Sequence, residues 1–257
     1  MKKRSPLKDK PLRNPGQSLD EKRLDVALDK VLLPILAALF LVVIAAMEWV
    51  RVVYALPPTP YLYTGMAILG VAYAAFRTYR AWPEIKALKQ GSEGERAVGQ
   101  FLERLRADGY SIFHDLVGKG FNIDHVLIGP AGVFTIETKT YSKAPGPDVK
   151  VRFDGESLTV DGVKLDRDPV GQGKAQAGWL RLILEESTGR RFLTRSVILF
   201  PGWYVEQMPG TSKDVWVLEP KALPAFLEHE PQFLSPEDVK LASFHLSRYI
   251  RTHEAGS

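Results

Sequence analysis

Residues 31–50, VLLPILAALFLVVIAAMEWV, carry a single charge, Glu48. A helix needs about 20 apolar residues to cross the hydrocarbon layer of a bilayer. This run has no amphipathic period that would keep one face for water. A second run, LPPTPYLYTGMAILGVAYAAF at 56–76, is less apolar but long enough. Trp49, Tyr54, Tyr61 and Tyr63 cluster between the two, as interfacial aromatics do, and Pro57, Pro58 and Pro60 interrupt the helix there. These features predict a transmembrane helical hairpin over 31–77, with spans at 31–50 and 56–76 and a very short outer loop. The polar stretch of roughly 30 residues ahead of it argues for an uncleaved anchor rather than a signal peptide.

Charge sets the expected orientation. Residues 1–30 hold nine basic and five acidic side chains, which supplies the whole net charge of +4 and leaves residues 31–257 neutral. The alkaline pI therefore describes a basic tail, not a basic nucleic-acid-binding domain. Lys22, Arg23 and Lys30 precede the first span, and Arg77, Arg80, Lys86 and Lys89 follow the second. Positive residues stay on the cytoplasmic side, so both termini are expected in the cytoplasm, with the protein in the cell (inner) membrane. The chain has no cysteine, which excludes disulfides and thiolate metal sites.

After an expected linker helix at 78–90 the texture becomes that of a soluble domain. GSEGERAVGQFLERLRADGY, from 91, reads as a helix with Val98, Phe101, Leu102 and Leu105 as its apolar stripe, Ser92 and Glu95 as a capping box, and Gly109 as its end. Strand-like runs follow at 111–117, 122–129 and 132–140, then a hairpin in VKVRFDGESLTV. Asp168-Pro169 opens a helix that Gly189 closes, RSVILF at 195–200 reads as a buried strand, and DVWVLEP as another. Ser235-Pro236-Glu237-Asp238 begins a last helix within an expected helical extension at 221–257. The order helix, three strands, helix, strand predicts an α/β domain around one sheet, over 91–220.

Asp124, Glu137 and Lys139 interrupt the strands that most need burial. If Gly129 pairs with Gly132 across the Gly-Pro-Ala-Gly turn, Asp124 lies directly opposite Glu137, with Cβ atoms about 4.5–5.5 Å apart. Lys139, two residues on, shares that face. Opposed carboxylates repel, and become favourable around a divalent cation; oxygen ligands of this kind suit Mg²⁺. Lys139 can then hold a phosphate or orient an attacking water. The plainer reading is a salt bridge between Lys139 and Glu137.

Three blocks in order, GSEGE, NIDHVLIGPAGVFTIETKT and DPVGQGKAQ, resemble the nuclease-related domain family, NERD, which is similar to the PD-(D/E)XK or restriction-endonuclease-like superfamily. The resemblance covers roughly residues 91–200. It implies a restriction-endonuclease-like αβββαβ core with a mixed central sheet, behind the membrane hairpin. It implies Asp124 and Glu137 as metal-binding acids, Lys139 as the lysine of the Glu-x-Lys pair, and the Thr138 carbonyl as a further metal contact. Glu95 matches the acid of the first block and Gln172 the glutamine of the last. The activity implied is phosphodiester hydrolysis of nucleic acid, DNA before RNA, with Mg²⁺ or Mn²⁺ as cofactor. The alternative is an inactive membrane-tethered module that binds nucleic acid or protein.

Several residues read differently. Gln176 shares the helical face of Gln172 and could contact a ligand or satisfy backbone groups. His125 should point away from Asp124 and pack in the core. No histidine spacing suggests zinc. Lys119 in GKGFN could touch a phosphate, although an exposed lysine is the default there.

Overall fold

The structure is a computed structural model that describes residues 12–54, 56, 59–118, 120–143, 149–165, 168–208 and 214–254. Residues 1–11 of the basic tail, Lys119, Pro57 and Pro58 lie outside the described residues. The chain forms two compact units, one of residues 18–90 and one of residues 1–17 with 91–257.

The first unit is helical: α1 Gln17–Ala27, a π-helical turn Leu28–Leu32, α2 Leu33–Val53 and the first part of α3, which runs Pro60–Leu102. Gln17–Val53 is the one helical run among the described residues long and apolar enough to cross a membrane. The expected second span does not qualify. Its tyrosines, its glycines and Thr64 dilute the apolar run before Arg77 and Arg80 are reached. The two helices nevertheless lie side by side. Lys30 pairs with Glu84 at 2.5 Å, and Trp49 Nε1 donates to Thr64 Oγ1 at 3.0 Å. Gly70 admits close approach: a Cβ there would stand 2.7 Å from Leu41 Cδ1.

In the second unit a five-stranded mixed sheet runs in the order β1-β2-β3-β7-β9, from β1 Ser111–Val117, β2 Asn122–Gly129, β3 Gly132–Thr138, β7 Thr194–Leu199 and β9 Val215–Leu218. The first three strands are antiparallel, while β3-β7 and β7-β9 are parallel. The core is thus the expected α-β-β-β-α-β order. A second sheet, not expected beyond its hairpin, is ordered β6-β5-β4-β8. It uses β4 Lys150–Phe153, β5 Leu158–Val160, β6 Val163–Lys164 and β8 Tyr204–Gln207. The last strand comes from PGWYVEQ, whose loop-like residues gave little sign of it.

Three helices follow the expected signals closely or depart from them for a clear reason. In α4, Pro169–Thr188, Asp168 accepts the Gly171 N–H at 2.9 Å, and Gly189 ends the helix. In α6 (Pro236–Glu254), which follows the short helix α5 (Leu223–Glu228), Ser235 and Asp238 exchange backbone-to-side-chain hydrogen bonds at 3.2 and 3.4 Å. Ser92 and Glu95 form no capping box. Both lie inside α3, because Gly91 does not break it, and both are buried. The helix tightens to a 3-10 turn at Glu103–Asp108 and stops at Gly109. In the C-terminal segment, Leu246 and Ile250 of α6 join Leu180 and Leu184 of α4 over Val126 and Ile128.

Gly129 pairs with Gly132, and the register continues through His125 and Ile136. Gly132 has φ +126°, a conformation L side chains rarely adopt, and a Cβ would stand 3.1 Å from the Leu193 carbonyl. Replacing Gly132 with alanine should cost about 1–3 kcal/mol, read as a lower denaturant midpoint for the full chain in detergent.

Candidate active site

Continued one step beyond its last pair, His125 with Ile136, the β2–β3 register sets Asp124 against Glu137, whose charge acts on Asp124. On the other side of β2, the pairs His114 with His125 and Leu116 with Ile123 leave Asp115 across from Asp124. Three acids therefore stand in a row over β1, β2 and β3. All three are at least nine-tenths buried. Asp115 has φ +51° within a strand. Such a conformation is uncommon outside glycine and more readily taken by Asp, and strain of this kind gathers at functional sites.

Each acid has its own partners. The Thr138 N–H donates to Asp124 Oδ2 at 2.6 Å. Lys139 Nζ donates to Glu137 Oε1 at 2.7 Å. From α4, one turn apart, Gln172 Nε2 reaches Glu137 Oε1 at 3.3 Å and Gln176 Nε2 reaches Glu137 Oε2 at 3.0 Å. Gln176 also donates to the Asn122 carbonyl at 2.7 Å, which ties α4 to β2. Gln176 is thus nearer to Glu137 than Gln172 is, although the sequence favoured Gln172. Its burial was legible in the i, i+4 spacing, but its reach was not.

Asp115 is held by Arg13, whose Nε donates at 2.5 Å, and the Gly16 amide hydrogen-bonds the Glu95 carboxylate. Sequence reasoning missed Asp115, Arg13 and Gly16. Arg13 and Gly16 come from a stretch read only as a basic tail, and no local pattern ties that stretch to β1 or α3.

The electrostatics are those of a site short of positive charge. Burial, then repulsion from Asp115 and Glu137, pushes the Glu95 carboxyl up to about 8. Burial, then Glu137 and Glu95, raises Asp124 well above the carboxylate range. Burial works to lower Lys139, but Glu137 and Asp124 outweigh it and the ammonium is held above its ordinary value. Two buried acceptor oxygens, Gln176 Oε1 and Thr138 Oγ1, have no hydrogen-bond partner beside these acids. Among the described residues no three His, Asp or Glu side chains stand in a metal-binding group. Mg²⁺, however, needs only one or two protein carboxylates. An all-oxygen donor set with raised carboxyl pKa values and unpartnered acceptors fits such a cation, with Asp124 and Glu137 to hold it.

His125 packs on the opposite face as expected. It is fully buried, with Nδ1 2.9 Å from His114 Nδ1. Burial, then His114, holds its pKa well below the ordinary value.

The buried acids, the lysine and the two amides fall within a segment that is similar to a known family. Residues 90–201 match the family model of the nuclease-related domain, NERD, and the match spans Glu95, Asp124, Glu137, Lys139 and Gln172. No curated protein and no solved structure matches the chain.

Glu95 gives a pH signature. Its carboxyl keeps a proton in the fold up to about pH 8, whereas its ordinary value is 4.5. As pH rises through that window the unfolded chain releases a proton the folded chain retains, so stability falls. With chelator present, the full chain should melt at lower temperature at pH 8 than at pH 5, and Glu95→Gln should flatten that slope.

Proposed function

We propose that the protein is a membrane-anchored nuclease that hydrolyses phosphodiester bonds of nucleic acid, DNA before RNA, with Mg²⁺ or Mn²⁺ held by Asp124 and Glu137. The observation that carries this reading is the burial of Asp124 against Glu137 with Lys139 on the Glu137 carboxylate. The αβββαβ order supports a core of the PD-(D/E)XK type. A bound divalent cation would polarise the scissile phosphate and activate water.

The remaining work falls to this chain's own side chains. Lys139 sets a cation where negative charge builds on the phosphate, and its link to Glu137 keeps it in place. Gln172 and Gln176 orient the Glu137 carboxylate, and the Thr138 N–H orients Asp124. Glu95 lies beside them as a protonated acid below about pH 8, able to donate or accept a hydrogen bond near the reacting group. The apolar run Gln17–Val53 supports anchoring. The basic flanks argue for two spans over 31–76 with both termini and the catalytic domain on the cytoplasmic side.

One observation favours a second reading, a binding module for nucleic acid or protein that does not cut: residues 31–257 are neutral overall, without the excess of cations on which nonspecific phosphate binding draws. The test is cleavage by the full chain in detergent, on DNA and RNA with Mg²⁺ or Mn²⁺. Glu137→Ala and Lys139→Ala should each lower the rate by about 10²-fold or more. Wild type no more active than either variant would leave only the binding module.

A further inference from the structure

A cavity of about 580 Å³ opens beside the acids, and Lys139 forms part of its wall. Small-molecule sites occupy about 300–1,000 Å³, so one nucleotide fits. The cavity lies wholly within the α/β unit, between the segment after β3, the β5–β6 turn and the start of α4.

Its lining is mixed. Tyr141 and Val163 turn apolar surface to solvent, 39% and 67% exposed. Tyr141 stacks on Phe200 with centroids 6.2 Å apart and planes 17° apart, which fixes its ring. Trp203 closes the floor and donates from Nε1 to the Tyr141 carbonyl at 3.3 Å. The lining also holds two cations, Lys139 and Lys164, with one carboxylate, Asp161. Lys143 adds a third ammonium over the Trp203 ring at 5.3 Å. A fixed aromatic face beside ammonium groups matches a nucleotide, which joins a flat base to an anionic phosphate. Asp161 supplies an acceptor for a base's amino group.

We propose that this cavity seats the nucleotide next to the scissile phosphate, with its base against Tyr141 and Val163, and that the substrate is a single strand. Within an intact duplex the faces of every base are covered by its neighbours, so only an unpaired or extruded base can enter such a slot. The inference rests on the reading of the neighbouring acids as a site for nucleic acid.

Its test is kept apart from cleavage. The full chain in detergent, with chelator, is titrated into labelled single-stranded DNA, single-stranded RNA and the matching duplexes, read by fluorescence anisotropy. Each single strand of the preferred sugar should bind at least fivefold more tightly than its duplex. Tyr141→Ala should weaken single-strand binding about tenfold, and Tyr141→Phe should restore it. Val163→Glu, at an exposed position that does not threaten the fold, should weaken it similarly, and Lys164→Ala should reduce its salt dependence. The DNA and RNA arms identify the sugar. Duplex binding as tight as single-strand binding, or unchanged binding by Tyr141→Ala and Val163→Glu, overturns the proposal. Failure of cleavage with intact single-strand preference would instead overturn the nuclease reading and leave the slot standing.

Discussion

Two carboxylates forced against each other in a buried sheet are the constraint on which the rest of this domain depends. The turn at Gly129–Gly132 sets the register, and the register sets Asp124 opposite Glu137. A slip of one residue would send them to opposite faces. Like charges directly across a sheet destabilise it, so the surrounding structure is arranged to offset them. Lys139 comes from the same strand end, Gln172 and Gln176 from α4, and the Thr138 amide from the backbone itself. These groups satisfy Glu137 and one oxygen of Asp124, yet Asp124 and Glu95 remain pushed above their ordinary pKa values.

The same constraint explains why elements distant in sequence meet here. The helix α4 must lie over β2 and β3 for its two amides to reach Glu137, and Gly173 permits this, since a Cβ there would stand 2.2 Å from Ser196 Oγ on β7. The stretch at Arg13–Gly16 answers the outer end of the acid row, with a guanidinium on Asp115 and an amide on Glu95. His114 and His125 pack together on the other face of β1 and β2, away from the acids.

Much of this was legible in local pattern. Glycines mark both ends of the β2–β3 turn, and the alternation of side chains then leads to Asp124 opposite Glu137. Asp168 and Gly189 delimit α4 because cap chemistry is local. What could not be read depends on contacts distant in the chain. The pairing of β8 with β4 joins two segments separated by α4 and β7. Arg13 reaches Asp115 across a separation of 102 residues, and the conformation of Asp115 leaves no trace in composition. Ser92-x-x-Glu95 imitated a cap because a glycine preceded it, but burial kept the helix going. The second apolar run is more dilute than the first because tyrosines and glycines interrupt it.

We propose that the Asp124–Glu137 pair is arranged for a divalent cation. Calorimetric titration of the full chain in detergent with Mn²⁺ tests it without reference to any substrate. Saturable binding by the wild type, lost in Asp124→Asn and in Glu137→Gln, is the predicted result. No saturable heat in the wild type, or equal binding by wild type and both variants, would contradict it.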